Sequence, residues 1–428
     1  MSLNSTLGRA TPAAVLASLL LLPVSSSAAV RAAGNWPAWR GVHFDGVAHG
    51  ANPPVEWSEN SNVRWKVALP GRGTSTPIVW GDRVFILAAI PTAGADRQQS
   101  TVLAYARADG RELWRRVVRE QAPHAGHHRD HGYASASPVT DGDLLIAHFG
   151  SYGTYGLDLD GQVKWEVDLG DMQTRNSFGE GSSPALDGDT VVILWDHEAE
   201  DFIVALDRRT GRELWRQARD EPTGWCTPLI VEHGGRKEVI VNGTNRVRSY
   251  DLASGRPLWE CGGQTANAIP SAVGADGVVF VTSGFRGSAL QAIRLGGSGE
   301  VANSGSLVWQ HNRNTPYVPS PLLHEGLLYF LSGNNATLSI FRAADGEPHV
   351  SAARIEDVLG VYASPIAAAG RVYLVGRNGV TAVLKHGTSV EVLARNRLDD
   401  GFDASPVAVG DDLLLRGRAN LYCLTRGE

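Results

Sequence analysis

The chain has 428 residues, including 49 Gly, 21 Pro and 12 Trp but only 3 Cys and 2 Met. So much Gly argues against a helical bundle, and the 20% charged and 43% hydrophobic residues are typical of a globular protein, which excludes disorder and collagen-like repetition. The formal net charge of −6, with basic residues spread along the chain, argues against nucleic acid as a partner.

Residues 1–29 have the pattern of a secretory signal peptide. Arg9 precedes an apolar run from Ala13 to Val24, and the small residues after it fit a signal-peptidase site. The run is shorter than the roughly 20 residues that span a bilayer, and no later window is long enough. We therefore expect a periplasmic or secreted protein without a membrane span; an uncleaved amphipathic anchor is the alternative.

Residues 30–62 are predicted to be an N-terminal extension of the domain that follows. Trp36 and Trp39 are expected to hold this extension across the outside or one face of that domain.

A repeat organises residues 63–428. A small residue, a Pro and an apolar run recur at Pro77, Pro138, Pro184, Pro228, Pro270, Pro321, Pro365 and Pro406. Most of these intervals lie in the range of about 40–50 residues that is typical of propeller blades. Each Pro is followed by a turn and further β-rich runs, which predicts a meander of strands in every unit.

Five units carry a Gly four residues before a Trp. The pairs are Gly110 and Trp114, Gly161 and Trp165, Gly211 and Trp215, Gly255 and Trp259, and Gly305 and Trp309. The Gly is expected to adopt positive φ in a turn, and the Trp to begin the outermost strand. An indole at the same point of each unit predicts a wedge between neighbouring four-stranded sheets, not a cofactor site.

The two ends of the chain are predicted to complete one blade. The unit that begins at Pro406 has room for three strands, and the Trp-bearing run from Val63 to Leu69 has no partner before the first unit. Pairing the two would remove the free sheet edges. The predicted fold is therefore all-β: an eight-bladed β-propeller of four-stranded antiparallel blades, closed by an N-terminal strand.

The repeat resembles that of a known superfamily. ALDRRTGRELW, from Ala205 to Trp215, is similar to the tryptophan-docking repeat of the pyrroloquinoline-quinone (PQQ) propellers, and weaker copies end at Trp114 and Trp259. The whole chain resembles exported bacterial PQQ-binding-like, BamB-like β-propeller repeat proteins. The resemblance implies the propeller fold but fixes no activity.

The superfamily has an enzymatic branch, the quinoprotein dehydrogenases. There PQQ and a calcium ion sit on the propeller axis, an adjacent Cys pair forms a disulfide over the quinone, and an Asp acts as base. This sequence has no adjacent Cys pair and no recognisable calcium-ligand set. Its three cysteines, Cys226, Cys261 and Cys423, lie in apolar strand-like runs and are expected to be free, buried thiols.

The loops around one end of the channel are the predicted binding face. In a propeller, the loop from each outermost strand to the next innermost strand and the loop between second and third strands meet there. Their Arg, carboxylate and aromatic side chains suit a polar or anionic small ligand or a peptide segment, although charged loop residues can equally be simply solvated. The predicted ligand-binding residues are Arg72, Arg175, Glu180, Trp225, Arg246, Arg286, Tyr317, Tyr362, Arg377 and Asp403.

A second candidate site is the His-rich loop, residues 123–133. Clustered imidazoles can bind Zn²⁺, Cu²⁺ or Ni²⁺, particularly with a nearby carboxylate, although a solvated loop is the alternative. The predicted metal ligands are His124, His127, His128, His131, Asp196 and Glu198.

Two functions remain open from the sequence. The first is an exported non-catalytic scaffold that binds a protein partner or a polar small ligand, with no cofactor expected. The alternative is an enzyme that uses PQQ with calcium, or a His-bound transition metal, in the central channel.

Overall fold

The computed structural model describes residues 1–2, 34–94 and 96–427. Within them the regular secondary structure is almost entirely β-strand, and the helical elements are two 3-10 turns at Gly150–Tyr152 and Arg175–Ser177. The predicted signal peptide falls almost wholly outside the described residues. Among those that are described, no helix combines the length and the hydropathy needed to cross a membrane.

Eight antiparallel sheets form the blades, numbered 1 to 8 in chain order. Blade 1 consists of β2 (Ile78–Trp80), β3 (Arg83–Pro91), β4 (Gln98–Ala106) and β5 (Glu112–Gln121). Blade 2 consists of β6 (Val139–Thr140), β7 (Leu144–His148), β8 (Thr154–Asp158) and β9 (Val163–Val167). Blade 3 consists of β10 (Ala185–Asp187), β11 (Thr190–Trp195), β12 (Phe202–Asp207) and β13 (Glu213–Ala218).

Blades 4 and 5 share an irregular connection. Blade 4 consists of β14 (Leu229–His233), β15 (Arg236–Val241), β16 (Val247–Asp251) and β17 (Pro257–Cys261). Blade 5 consists of β18 (Val273–Ala275), β19 (Val278–Ser283), β20 (Ala289–Arg294) and β22 (Leu307–His311). Between β20 and β22 the chain makes β21 (Gly299–Glu300), which pairs in parallel with β17 as a fifth strand of blade 4.

The remaining blades complete the propeller. Blade 6 consists of β23 (Leu322–His324), β24 (Leu327–Ser332), β25 (Asn335–Arg342) and β26 (Pro348–Arg354). Blade 7 consists of β27 (Ile366–Ala368), β28 (Arg371–Val375), β29 (Val380–Lys385) and β30 (Val392–Arg397). Blade 8 consists of β31 (Val407–Val409), β32 (Asp412–Arg416) and β33 (Asn420–Thr425), with β1 (Val63–Ala68) as its outermost strand. The eight-bladed fold and its closure by an N-terminal strand are thus confirmed.

The position of a strand in its blade decides how much of it is buried. The second strands β7, β28 and β32 are buried along their whole length, because neighbouring blades cover both of their faces. The outermost strand β13 alternates between exposed and partly buried residues. This explains why second strands are continuous apolar runs in the sequence and outermost strands are not.

Five indoles link one blade to the next. Trp65, Trp114, Trp165, Trp215 and Trp309 each donate a hydrogen bond of 2.8–2.9 Å to a carbonyl of the following blade. Each ring lies against a turn glycine of that blade, in order Gly110, Gly161, Gly211, Gly255 and Gly346. At Gly110 a Cβ would lie 2.8 Å from the ring of Trp65, and φ is +74°, so the position requires glycine on both counts.

Trp259 does not follow this pattern. Its indole donates to the buried carboxylate of Glu238 at 3.0 Å, within its own blade. Gly305 lies in a turn before Trp309, as predicted, but it does not adopt the expected positive φ. In blade 5 the turn follows the irregular connection with β21, and Gly346 of blade 6 takes the positive-φ position against the Trp309 ring.

The three cysteines are free and buried, as the sequence predicts. Cys226 precedes β14, the innermost strand of blade 4, and Cys261 is the last residue of β17, the fourth strand of the same blade. Cys423 lies in β33 of blade 8. Burial raises the pKa of the Cys226 thiol to about 12 and that of Cys261 to about 11, so neither is a thiolate at neutral pH.

Residues 34–62, the N-terminal strap, cross one face of the propeller. Trp36 exchanges two backbone hydrogen bonds of 2.8 Å with Val79 of blade 1, and Ala48 donates one to Ala367 of blade 7. Trp36 is only 1% exposed, so it belongs to the main core and not to the surface. The strap therefore ties together blades that are far apart in the chain.

Candidate functional site in the central channel

A closed ring of hydroxyl residues surrounds the propeller axis. Each backbone N–H of the ring donates to the side-chain oxygen of the next member at 2.7–3.2 Å, and the N–H of Ser405 returns to Thr76. The members are Thr76, Ser137, Ser183, Thr227, Ser271, Ser320, Ser364 and Ser405. One hydroxyl per blade thus satisfies the backbone of the preceding blade where the blades meet.

The ring corrects the sequence register in blade 5. In seven blades the hydroxyl residue comes directly before the repeat Pro, but Pro270 comes before Ser271. The anchor predicted at Pro270 is therefore wrong by two residues, because Ala272 stands where the other blades have Pro. The small-residue–Pro pattern in the sequence indicates this ring, because the small residue supplies the acceptor.

The ring lines a cavity of about 330 Å³, which all eight hydroxyl residues border. Trp39 of the N-terminal strap also borders it, and its indole approaches Ser405 Oγ at 3.4 Å. In each blade the ring residue comes just before the innermost strand, and the strap bonds to residues that come after it, such as Val79 and Ala367. The strap therefore lies at the opposite end of the channel from the loops that lead into the ring residues. Trp39 closes that end.

The guanidinium of Arg40 fixes Trp39 in this place. It is 2% exposed and donates to the carbonyls of Pro321 and Pro365 at 2.7 Å and to that of Asp45 at 2.9 Å. Burial lowers the pKa of Arg40 to about 10, which still leaves it charged at neutral pH. The WPAWRG segment thus forms the floor of a cup that is open on the loop face, a role that its sequence pattern does not reveal.

Aromatic side chains form the mouth of the cup. Phe178, Trp225, Tyr317 and Tyr362 border the cavity, each from a loop between successive blades. The indole of Trp225 donates to the carbonyl of Gly179 at 2.8 Å, and the ring of Tyr317 stacks on Phe285 with centroids 4.9 Å apart. Four residues of the predicted ligand-binding set therefore border one cavity: Trp225, Tyr317, Tyr362 and Asp403.

The charges at the mouth are paired with one another. Arg377 donates to Asp130 at 2.9 Å and to Asp403 at 2.5 Å, and its guanidinium lies 4.0 Å from the ring centroid of Tyr362. Arg418 also donates to Asp403, at 2.9 Å. The Arg377 side chain holds the pKa of Asp130 below its usual value, so the carboxylate stays ionised. The predicted residues Arg377 and Asp403 thus lie at the mouth with their charges balanced inside the protein.

The His-rich loop reaches across this mouth. Asp130 joins the connection between blades 1 and 2 to Arg377 of blade 7, and His128 and His131 border the cavity. The ring of His131 contacts the hydroxyl of Ser135 at 2.5 Å, and burial lowers its pKa to about 4, so it is neutral. His124 and His127 point away from the cavity: His124 contacts the Met172 carbonyl at 3.0 Å, and His127 packs on Tyr133.

Other predicted ligand-binding residues lie away from the cavity. Arg72 and Arg286 are exposed, and Arg246 pairs with Glu260 and Glu300. Arg175 donates to the amide oxygen of Asn267 at 3.3 Å.

Glu180 is engaged in a separate small pocket. It accepts bonds of 2.6 Å from the Ser151 N–H and hydroxyl, and burial raises the pKa of its carboxyl. Glu180 and the predicted arginines Arg72, Arg175, Arg246 and Arg286 therefore do not border the central cavity.

Asp196 and Glu198 also serve other contacts. Asp196 accepts a double hydrogen bond from Arg219, at 2.6 and 3.0 Å, and neither side chain is exposed. Glu198 accepts bonds from the Thr223 N–H and hydroxyl. Within the described residues, these two carboxylates and the four loop histidines do not form a group with all donor atoms within 4.8 Å of one another. Metal binding by the His-rich loop stays a prediction.

The geometry and the repeat define an eight-bladed propeller of the PQQ-repeat class with a closed floor and a loop-lined mouth. The family described as outer membrane protein assembly factor BamB matches residues 47–224 and 174–383, and the chain belongs to that family. No curated protein matches the chain significantly.

Solved structures show the same fold at low sequence identity. BamB from Moraxella catarrhalis is 15% identical, with a TM-score of 0.60 over 85% of this chain and 99% of that one. The quinohemoprotein alcohol dehydrogenase from Comamonas testosteroni is 11% identical, with a TM-score of 0.64 over 92% and 80%. A europium-containing methanol dehydrogenase is 10% identical, with a TM-score of 0.62 over 92% and 98%. At these identities the likeness establishes the fold alone.

The cavity does not supply the groups that PQQ with a metal ion needs. PQQ carries several carboxylates, yet no Lys or Arg is among the described residues that border the cavity. The two carboxylates there, Asp130 and Asp403, already accept from Arg377, so their oxygens are not free to surround a cation. We derive no reaction step through this cofactor.

Proposed function

We propose that the protein is an exported, non-catalytic binding scaffold that takes a polar segment of a protein partner into the cup. The observation that carries the proposal is the cup itself: an open cavity of about 330 Å³ with aromatic walls, a ring of hydroxyls and a closed floor. Its volume falls within the lower part of the range for ligand-binding cavities.

The balance of charge at the mouth favours an uncharged polar occupant. Arg377 and Arg418 already pair with Asp130 and Asp403, so an anionic ligand would have to displace carboxylates that are held inside the protein. Tyr317, Tyr362 and Trp225 instead offer ring faces and polar edges, which are common at protein interfaces. A peptide segment that inserts a polar or aromatic side chain is therefore a better occupant than the anionic ligand that the sequence allowed.

The alternative, a PQQ- or metal-dependent enzyme, has the support of the fold that the chain shares with the two dehydrogenases.

The pattern of the first 29 residues supports export, and membership in the BamB family supports a protein partner over a small molecule.

Site-specific photo-crosslinking tests the proposal. A benzoylphenylalanine at position 362, at the mouth, should give a discrete crosslinked species in the cell envelope of the source organism. Benzoylphenylalanine at position 349 is the matched control, because this position is exposed on β26 far from the mouth. It should give no crosslinked species. The species should weaken when Trp225→Ala is added. Equal adducts from both positions, or none from position 362, would contradict a binding role for the mouth.

A further inference from the structure

A group of metal-ligand side chains lies on the face opposite the mouth, outside every site discussed above. His324 and Glu325 lie at the turn between β23 and β24 of blade 6, and His386 follows β29 of blade 7. The donor atoms of these three side chains all lie within 4.8 Å of one another. We propose that His324, Glu325 and His386 form a Zn²⁺ site that joins blades 6 and 7.

The distances suit a tetrahedral ion. His386 Nε2 lies 3.3 Å from Glu325 Oε2, and His324 Nε2 lies 4.0 Å from Glu325 Oε1. In a tetrahedral zinc site with bonds of about 2.0–2.2 Å, neighbouring donor atoms are about 3.3 Å apart. The His386–Glu325 pair already has this spacing, and His324 needs only a small movement at the end of its strand. Two imidazoles and one carboxylate are ligands that Zn²⁺ accepts, with the fourth position left for water.

Tyr329 orients the ring of His386 for this role. Its hydroxyl lies 2.9 Å from His386 Nδ1 and accepts from the Gly387 N–H at 3.0 Å, while the Gly387 carbonyl lies 3.0 Å away as an acceptor. If the hydroxyl donates to that carbonyl, it accepts a hydrogen bond from Nδ1–H of His386, and the lone pair of Nε2 is available to an ion between His386 and Glu325. A second hydrogen bond of this kind is what fixes metal-binding histidines in other proteins.

Two of the three side chains are shielded from solvent, while the Glu325 carboxylate is 69% exposed. The side chains of both histidines are only 13% exposed, and their rings are 4.5 Å apart. Glu325 adopts a φ of +46°, a conformation that favours Gly or Asn, so this turn is strained in placing a carboxylate here.

The N-terminal strap brings two more polar side chains beside the site. Asp45 Oδ2 and His49 Nε2 lie 3.6 Å apart, and both residues interact electrostatically with His324. Val47, between them, pairs with Ala367 of blade 7. A bound ion would therefore connect two neighbouring blades at the place where the strap crosses them.

Zinc titration of the full-length chain tests the proposal. The protein is made without a polyhistidine tag, stripped with a chelator and titrated with ZnSO₄ by calorimetry, with bound zinc counted by elemental analysis. We expect one Zn²⁺ per chain. His324→Gln and His386→Gln should each weaken binding more than tenfold, and Tyr329→Phe, which keeps the ring but loses the hydroxyl, should weaken it about tenfold.

Two control variants separate this site from the alternatives. His233→Gln changes the last residue of β14, the corresponding strand of blade 4, and should bind zinc like the parent. His127→Gln with His128→Gln tests the His-rich loop and should also leave binding unchanged.

Zinc should also raise the melting temperature of the parent but not that of His386→Gln, whose metal-free melting temperature should equal that of the metal-free parent. No zinc binding, or binding that survives the His324→Gln/His386→Gln double variant, would overturn the proposal.

Discussion

Deleting residues 63–68 should destroy the cooperative fold. These residues are β1, the outermost strand of blade 8, which pairs with β33 from Val63 opposite Leu424 to Ala68 opposite Asn420. The deletion would leave β33 with an unpaired edge and remove Trp65, which is 7% exposed and bonds to blade 1. The loss should reach at least about 5 kcal/mol, comparable with the whole stability of many domains. Solubility and thermal unfolding followed by circular dichroism measure the effect.

Point variants keep this test informative if the deletion variant is insoluble. Trp65→Ala should lower the free energy of unfolding by about 3–5 kcal/mol, because the indole fills the space between blades 8 and 1. Leu214→Ala, in the outermost strand β13, is the control: its side chain is 40% exposed, and the change should stay within about 0.5 kcal/mol. A soluble deletion variant with an unchanged melting temperature would refute closure of the propeller by β1.

Breaking the buried ion pair of blade 3 should have the next largest effect. Arg219 and Asp196 are both without solvent exposure, and Arg219 also contacts the Tyr250 hydroxyl at 2.5 Å. Burial alone would lower the pKa of Arg219, but the charge of Asp196 raises it above its usual value. Burial also raises the pKa of Asp196, yet the double hydrogen bond from Arg219, at 2.6 and 3.0 Å, has the geometry of an ionised guanidinium–carboxylate pair. Arg219→Met or Asp196→Asn alone would leave a buried charge without a partner, at a cost of about 3–5 kcal/mol. Urea unfolding measures each loss.

The double variant separates the pair from simple packing. Because Arg219→Met with Asp196→Asn removes both charges, the double variant should cost less than the sum of the two single changes, with a coupling of more than about 1 kcal/mol. Arg216→Ala is the control, since its pair with Glu213 is exposed and should contribute less than about 1 kcal/mol. Strictly additive losses would show that the two charges do not depend on each other.

The repeat made most of the fold predictable. Each blade has the same strand order, so a period read from Pro and apolar runs counts the blades, and the unpaired strand around Trp65 predicts the closure. The errors arise where one blade departs from the others. Next to the connection with β21, Gly305 lies in a turn without the expected positive φ, and in blade 5 the anchor position is Ala272, two residues after Pro270.

The site was less predictable because its contacts join distant parts of the chain. Asp130 and Arg377 are 247 residues apart, and nothing in the two loops indicates that they pair. The same holds for His324 and His386, which lie in different blades and meet only because both turns are on one face. Trp39 was assigned to the extension, but only the path of the strap places it under the channel. Loop composition therefore indicates the face on which the cavity opens, but not which charges remain available.

The measurement that tests the central claim most directly is the titration of the purified protein with PQQ in the presence of Ca²⁺, followed by its absorption spectrum. A binding scaffold whose cavity carboxylates are already paired should show no saturable spectral change and no dye-linked oxidation of alcohols. Saturation at one PQQ per chain, lost in Trp225→Ala and accompanied by alcohol oxidation, would contradict the scaffold function and establish the enzyme in its place.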